Sequence, residues 1–135
     1  MIKASLGHAP YRVDIAADGH RLVADEGQEH GGGGVGPSPF DLVVAGLAAC
    51  TLITLRMYAE RKGWAEFRIG GEFRHRSEDG RHHIDRQLQV AGAPDEAALE
   101  RLRDIVERTP VTLALKQGFA ISTTLHEGVV DVARA

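Results

Sequence analysis

The spacing of apolar residues changes period several times along the chain, and each change marks an element. Tyr11 to Ile15 alternates, Asp18-Gly19 supplies a tight turn, and His20 to Ala24 forms a second short run around Leu22 and Val23, which predicts a two-strand ribbon. Residues 25–39, DEGQEHGGGGVGPSP, contain four consecutive glycines and two prolines and predict a loop. From Pro39 to about Gly63 the period is helical, with Ser38 suited to the N-cap, Pro39 to the first helical position and Lys62-Gly63 to the stop. Such a helix is roughly 35 Å long. Its first four turns are apolar on nearly every side, so the pattern predicts a helix buried all round.

Further on, residues 67–76 and 82–90 read as two strands about a turn at 78–81, with Gly70 and Gly71 predicting a bulge. Pro94 and Asp95 open a helix that places Leu99, Leu102, Ile105 and Val106 on one face, and Pro110 is read as its end. Its acids Asp95, Glu96 and Glu100 come early and Arg103 and Arg108 late, as the helix dipole favours. After a short segment from Val111 to Lys116, the alternation Phe119, Ile121, Thr123, Leu125 predicts a final strand. Hairpins and helices segregate rather than alternate, so the predicted class is α+β.

Composition narrows the picture. A chain of 135 residues, 43% hydrophobic and 26% charged, fits one domain over 1–135 that buries roughly two-thirds of its unfolded surface. With few aromatic residues, such a chain is too small to wrap the long helix alone. The expectation is that the helix lies at the subunit interface of a two-fold homodimer. The net charge of −3, without a long run of one sign, argues against nucleic acid or an anionic membrane surface as partner. The single cysteine excludes an intramolecular disulfide and any CxxC pair. No signal-like apolar segment opens the chain, which sets a cytoplasmic expectation. The apolar stretch Leu42–Leu55 falls short of the ~18 residues of a bilayer span.

Few residues are candidates for chemistry. Cys50, in the middle of the long helix, is either a small buried hydrophobe or a reactive thiolate, which needs a cation, a helix N-terminus or a metal beside it. It lies too far along its own helix to use that helix's dipole, and Arg56 sits about 120° round from it. Any activating group must come from another segment or subunit. Asp41 is the sole carboxylate in the apolar part of the helix and stands 2.5 turns from Cys50, on the opposite side. Read alone, it is an acid stabilised near a helix N-terminus. His75, His82 and His83 flank one turn, but adjacent strand residues point to opposite faces and no zinc-ligand spacing occurs, so no metal is expected. Arg74, Arg76, Arg81 and Arg86 are balanced by Glu72, Glu78, Asp79 and Asp85, which reads as a solvated hairpin.

The run GPSPFDLVVAGLAACTLITLRMYAERKGW, residues 36–64, resembles the central helix of the OsmC/Ohr family of thiol-dependent hydroperoxide reductases. HRLVADE before the glycine loop, Ile84-Asp85-Arg86 and LRDIVERTPVTLAL resemble further family segments in the same order. The resemblance implies an OsmC-like α+β fold: an N-terminal hairpin, a long buried helix, a second hairpin, a second helix and a final strand, in an intertwined homodimer with active sites at the interface. It also implies that Cys50 attacks an organic hydroperoxide and becomes a sulfenic acid. In active members an arginine holds the thiolate and an acid orients the arginine.

Asp41 fits the acidic position of the OsmC-like branch, and Arg12 and Arg21 are the candidates for the arginine. The position of the family's second, resolving cysteine is occupied by Thr109, in Thr109-Pro110-Val111. Two functions follow from different classes. One is a one-cysteine peroxidase without a cofactor, whose sulfenic acid an external thiol resolves. The other is a non-catalytic protein that keeps the fold and binds an apolar small molecule at the dimer interface.

Overall fold

The structure, a computed structural model, describes residues 1–131 and 133. They gather into two compact units: Met1–Leu42 with the residues from Ser122 onward, and Val43–Ile121.

The first unit holds a three-stranded antiparallel sheet of β1 (Ile2–Leu6), β2 (Val13–Ala17) and β3 (His20–Ala24), in that order. The predicted ribbon is present, and β1 joins it with Ala4 opposite Ile15, an addition the short N-terminal pattern does not announce. Asp18 and Gly19 both have positive φ (45° and 90°), the conformation that suits a two-residue turn to the twist of its strands.

The glycine-rich loop is built around one buried carboxylate. Asp25, 2% exposed, accepts hydrogen bonds from the N–H groups of Glu26 (2.8 Å), Gly33 (3.2 Å) and Val35 (3.2 Å), and its own N–H donates to Pro37 O (3.1 Å). Glycine is required here by close approach. A Cβ on Gly32 would lie 2.0 Å from Glu26 O, and one on Gly36 2.4 Å from Val23 O.

Helix α1 spans Pro39–Arg61. It opens on a reciprocal cap: Asp41 N–H donates to Ser38 Oγ (3.2 Å) and Ser38 N–H to an Asp41 carboxylate oxygen (3.1 Å). It closes at Gly63 (φ 73°), where the Gly63 N–H reaches Glu60 O and the Trp64 N–H reaches Ala59 O, as in a Schellman motif.

In the second unit α1 packs through one stripe, Val44, Leu47, Thr51, Leu55 and Ala59, rather than on every side. Leu55 and Ala59 form a core with Phe67 and Leu102, flanked by Tyr58, Trp64, Ile69, Leu88 and Val90. By length and composition α1 is apolar enough to cross a membrane, which the stretch Leu42–Leu55 alone is not, but this packing makes it a core element of the unit. Its other face leaves Val43, Ile53 and Met57 exposed. The expectation of burial all round is therefore not met within one chain, because the unit supplies apolar partners for a single stripe.

Strands β4 (Arg68–Glu78) and β5 (Arg81–Ala91) form an antiparallel hairpin about Asp79-Gly80, both with positive φ. Its register runs unbroken from Arg68 opposite Ala91 to Glu78 opposite Arg81, so Gly70 and Gly71 mark no bulge. Gly71 instead permits a close approach, since a Cβ there would lie 2.3 Å from Gln87 O. Helix α2 (Glu96–Val106) starts at Asp95, whose side chain accepts from Ala98 N–H at 2.8 Å.

Two expectations near the C-terminus are corrected. The segment after Pro110 is a third helix, α3 (Pro110–Gln117), in which the proline opens the new helix rather than ending the old one. The alternation Phe119–Leu125 forms no ladder among the described residues, and Phe119, Ile121 and Leu125 are exposed. Alternation makes a strand only when a sheet edge accepts it, and among the described residues no strand pairs with it.

Candidate functional site

The site is assembled from α1, β5 and α3 around Cys50. At 100° per residue, Cys50 falls on the same side of α1 as Val43, Gly46, Ile53 and Met57, so the thiol borders the exposed apolar face rather than the packed stripe. It is half-buried. Its Sγ lies 3.9 Å from Thr54 Oγ1, one turn on, and accepts a hydrogen bond from the backbone N–H of Val111 at 3.5 Å.

That N–H belongs to the first turn of α3. The opening N–H groups of a helix have no partner within it, and Thr109, at the N-cap, makes no capping bond to the backbone. Pro110 has no N–H to satisfy, so Val111 is the first free donor, and the sulfur takes it. The sulfur thus faces both a backbone donor and the N-terminus of α3. The helix whose N-terminus adjoins the thiol is α3, in the segment that sequence patterning leaves without an element.

Behind the thiol lies a buried polar cluster. Arg86, with a side chain 13% exposed, donates through Nη1 to Thr51 Oγ1 and Thr112 Oγ1, both at 3.0 Å, and through Nη2 to Val106 O at 2.9 Å. A Glu107 carboxylate oxygen stands 3.8 Å from Nη2. Thr112 and Thr109 share a hydrogen bond at 2.6 Å, and Thr51 donates to Leu47 O at 2.7 Å. All three threonines are buried. Among the described residues no buried side-chain polar atom lacks a partner. Lys116 hydrogen-bonds Glu107 (2.7 Å) and holds its carboxyl below the usual range, with Arg86 adding a smaller attraction in the same direction.

The remaining candidates are placed as follows. Thr109 is buried, two residues from the N–H on the sulfur, with its hydroxyl turned to Thr112. Asp41 caps the first turn of α1 together with Ser38. Arg12, just before β2, pairs with Asp14 at 2.9 Å, and that carboxylate raises the guanidinium's affinity for its proton. Arg21 is exposed on β3, opposite Ala16. All three lie in the first unit, whereas Cys50 and its partners lie in the second. His75 Nε2 and His82 Nδ1 are 2.9 Å apart with stacked rings, and no group of three or more potential metal ligands occurs among the described residues.

Arg86 is the residue that sequence reasoning misplaced, since it was counted with the solvated charges of the hairpin. Its signal was the strand's parity. Ile84, Arg86, Leu88 and Val90 share one face of β5, and all four are sheltered, whereas Asp85, Gln87 and Gln89 are exposed. An arginine in an otherwise apolar row must find buried acceptors.

A two-hairpin α+β fold with its only thiol at the N-terminus of α3 is the architecture to be placed among known proteins. The sequence matches the OsmC-like protein family over residues 31–124, and the chain belongs to that family. No curated protein matches the sequence significantly. Among solved structures, the chain is similar to an OsmC-like protein from Mycoplasma pneumoniae, at 22% identity and TM-score 0.64, over 86% of each chain. It also resembles an organic hydroperoxide resistance protein OsmC from Legionella pneumophila, at 20% identity and TM-score 0.57, over 86% of this chain and 88% of that one. A third likeness is to the organic hydroperoxide resistance protein OhrB of Bacillus subtilis, at 22% identity and TM-score 0.56, over 86% and 89%. At these identities the likenesses establish the fold.

Proposed function

We propose that the protein reduces organic hydroperoxides with Cys50 as its single peroxidatic thiol, in defence against oxidative stress and in the cytoplasm. The observation that carries this reading is the Val111 N–H on Cys50 Sγ, which puts a donor and a helix N-terminus on the chain's only thiol. Family membership and the hydroperoxide-resistance names of similar structures point the same way.

In the reaction the thiolate attacks the outer peroxide oxygen, an S–O bond forms, and the O–O bond breaks. The alkoxide leaves as the alcohol after taking a proton, so the peroxide is reduced and the sulfur oxidised by two electrons to a sulfenic acid. With Thr109 in the position of the second cysteine, an external thiol condenses with the sulfenic acid and releases water. A second thiol frees Cys50 and leaves as the disulfide. No cofactor enters this cycle.

The apolar face on which Cys50 borders suits a hydrophobic peroxide, and in this reading a second copy of the chain covers the rest of that face in a homodimer. The resemblance makes Arg12 and Arg21 the candidates for the cation and Asp41 for the acid that orients it; slower oxidation on substituting either arginine by Ala would assign that role. The alternative, an apolar-ligand protein without turnover, has one observation in its favour. A groove of about 630 Å³ lined by Leu52, Ile53, Met57, Phe67 and Ile69 runs beside α1.

The test is to titrate the thiol with cumene hydroperoxide and with hydrogen peroxide, following intact mass and dimedone trapping. The expected result is fast addition of one oxygen, selective for the organic peroxide and absent in Cys50→Ser. Slow, unselective oxidation would overturn the catalytic reading. A bound apolar molecule seen by native mass spectrometry and retained in Cys50→Ser would then establish the alternative.

A further inference from the structure

We infer that Arg86 is a positioning residue for Cys50: it fastens the first turn of α3 to α1 and thereby keeps the Val111 N–H on the sulfur. The inference rests on the reading of Cys50 as the reacting thiol. The geometry is a short chain of contacts. Thr51 follows Cys50 on α1, and Thr112 follows Val111 on α3. The two hydroxyls that flank the Cys50–Val111 contact both accept from the same nitrogen, Arg86 Nη1, at 3.0 Å. Nη2 donates to the carbonyl of Val106 at the end of α2, so one guanidinium links three helices.

Only a planar fork can do this. Arginine presents donors in fixed directions on two nitrogens, whereas a lysine ammonium is a single point. The guanidinium is also committed to these protein acceptors. It borders a cavity of about 1310 Å³ that Glu72, Arg74, Asp85, Glu107 and Lys116 also line, a mixed set of charges that does not describe an anion site. Glu107 stands 3.8 Å from Arg86 and itself pairs with Lys116.

Thr109 takes part in the same arrangement. Its hydroxyl is on Thr112 instead of the backbone of α3, which leaves the Val111 N–H free for the sulfur. The segment between α2 and α3 carries no carboxylate that caps α3, and the cluster that holds the helix end is made of side chains from α1, β5 and α3 itself.

The experiment measures the rate of Cys50 alkylation by iodoacetamide between pH 5 and pH 10 in wild type, Arg86→Met and Thr112→Val, with folding checked by circular dichroism. Arg86→Met keeps an unbranched apolar stem and removes the fork. The expected result is alkylation about tenfold slower at pH 7 in Arg86→Met and about threefold slower in Thr112→Val, with wild-type rates regained at pH 10. A merely structural loss would change the rate equally at every pH. A folded Arg86→Met with the wild-type profile, or with a uniform change across pH, would overturn the inference. Where Arg86→Met does not fold, Thr112→Val decides by the same criterion. Alkylation needs no peroxide, so wild-type protein that is inert to cumene hydroperoxide yet shows the shifted profiles would refute the peroxidase reading and leave this inference standing.

Discussion

A buried carboxylate and a largely sheltered guanidinium organise two parts of this molecule by opposite means. Asp25, in the first unit, is satisfied by the backbone of its own loop, with every partner within ten residues. Arg86, in the second, is satisfied by groups 20 to 35 residues away on three helices. Burial demands partners in both cases. Asp25 obtains them from glycines that let the chain fold back on itself, so its site is written in one contiguous stretch. Arg86 obtains them only once α1, α2 and α3 have docked, so nothing next to it in sequence announces the role.

Three perturbations break or sharpen the contrast. The largest effect is expected from Asp25→Ala, which strands the N–H groups of Gly33 and Val35 and removes hydrogen bonds to a charged acceptor. Urea denaturation should show a loss of roughly 2–4 kcal/mol. Hydrogen exchange should accelerate at those two amides rather than at α3. Equal acceleration in both places would mean that Asp25 is not a local organiser.

A smaller loss, about 1–3 kcal/mol in the same measurement, is expected from Gly36→Ala, because its Cβ meets Val23 O at 2.4 Å and backbone must shift to accommodate it. Gly7→Ala, with no atom within 4 Å, is the matched control and should change stability by no more than about 0.5 kcal/mol. A costless Gly36→Ala would remove close approach as the reason for that glycine.

The smallest effect concerns pH. The Lys116 hydrogen bond holds the Glu107 carboxyl below the usual carboxylate range, so the folded state binds its proton less readily than the unfolded chain. The resulting stabilisation is present above the unfolded value and is lost as pH falls through the folded one. Glu107 is more than half exposed, so the effect is small and salt-sensitive. Denaturation midpoints of wild type and Glu107→Gln should differ at pH 7 and converge in acid. A constant gap would show that the pair contributes nothing through charge.

The same distinction separates what was legible in the sequence from what was not. Helix α1, its Ser38 cap and Gly63 stop, the ribbon of β2 and β3, the 68–91 hairpin and the start of α2 are each specified by neighbours a few residues apart. Cys50 was legible as a candidate because it is the only thiol, and the resemblance of residues 36–64 added a role for it. The helix at Pro110–Gln117 was not, since Pro110 serves equally to end one helix or to open another, and eight residues show little periodicity. The strand expected at Phe119–Leu125 needed a sheet edge, and none pairs with it among the described residues.

By itself the sequence determined the α+β class, the family and the one thiol, because caps, turns and hydrophobic periods are local and the chain has a single cysteine. Only the tertiary structure decided what faces that cysteine. The Val111 N–H comes from 61 residues further along the chain, and Arg86 leaves the solvated hairpin for a buried cluster. Both follow from packing, which brings together groups whose separation in sequence carries no signal of their contact.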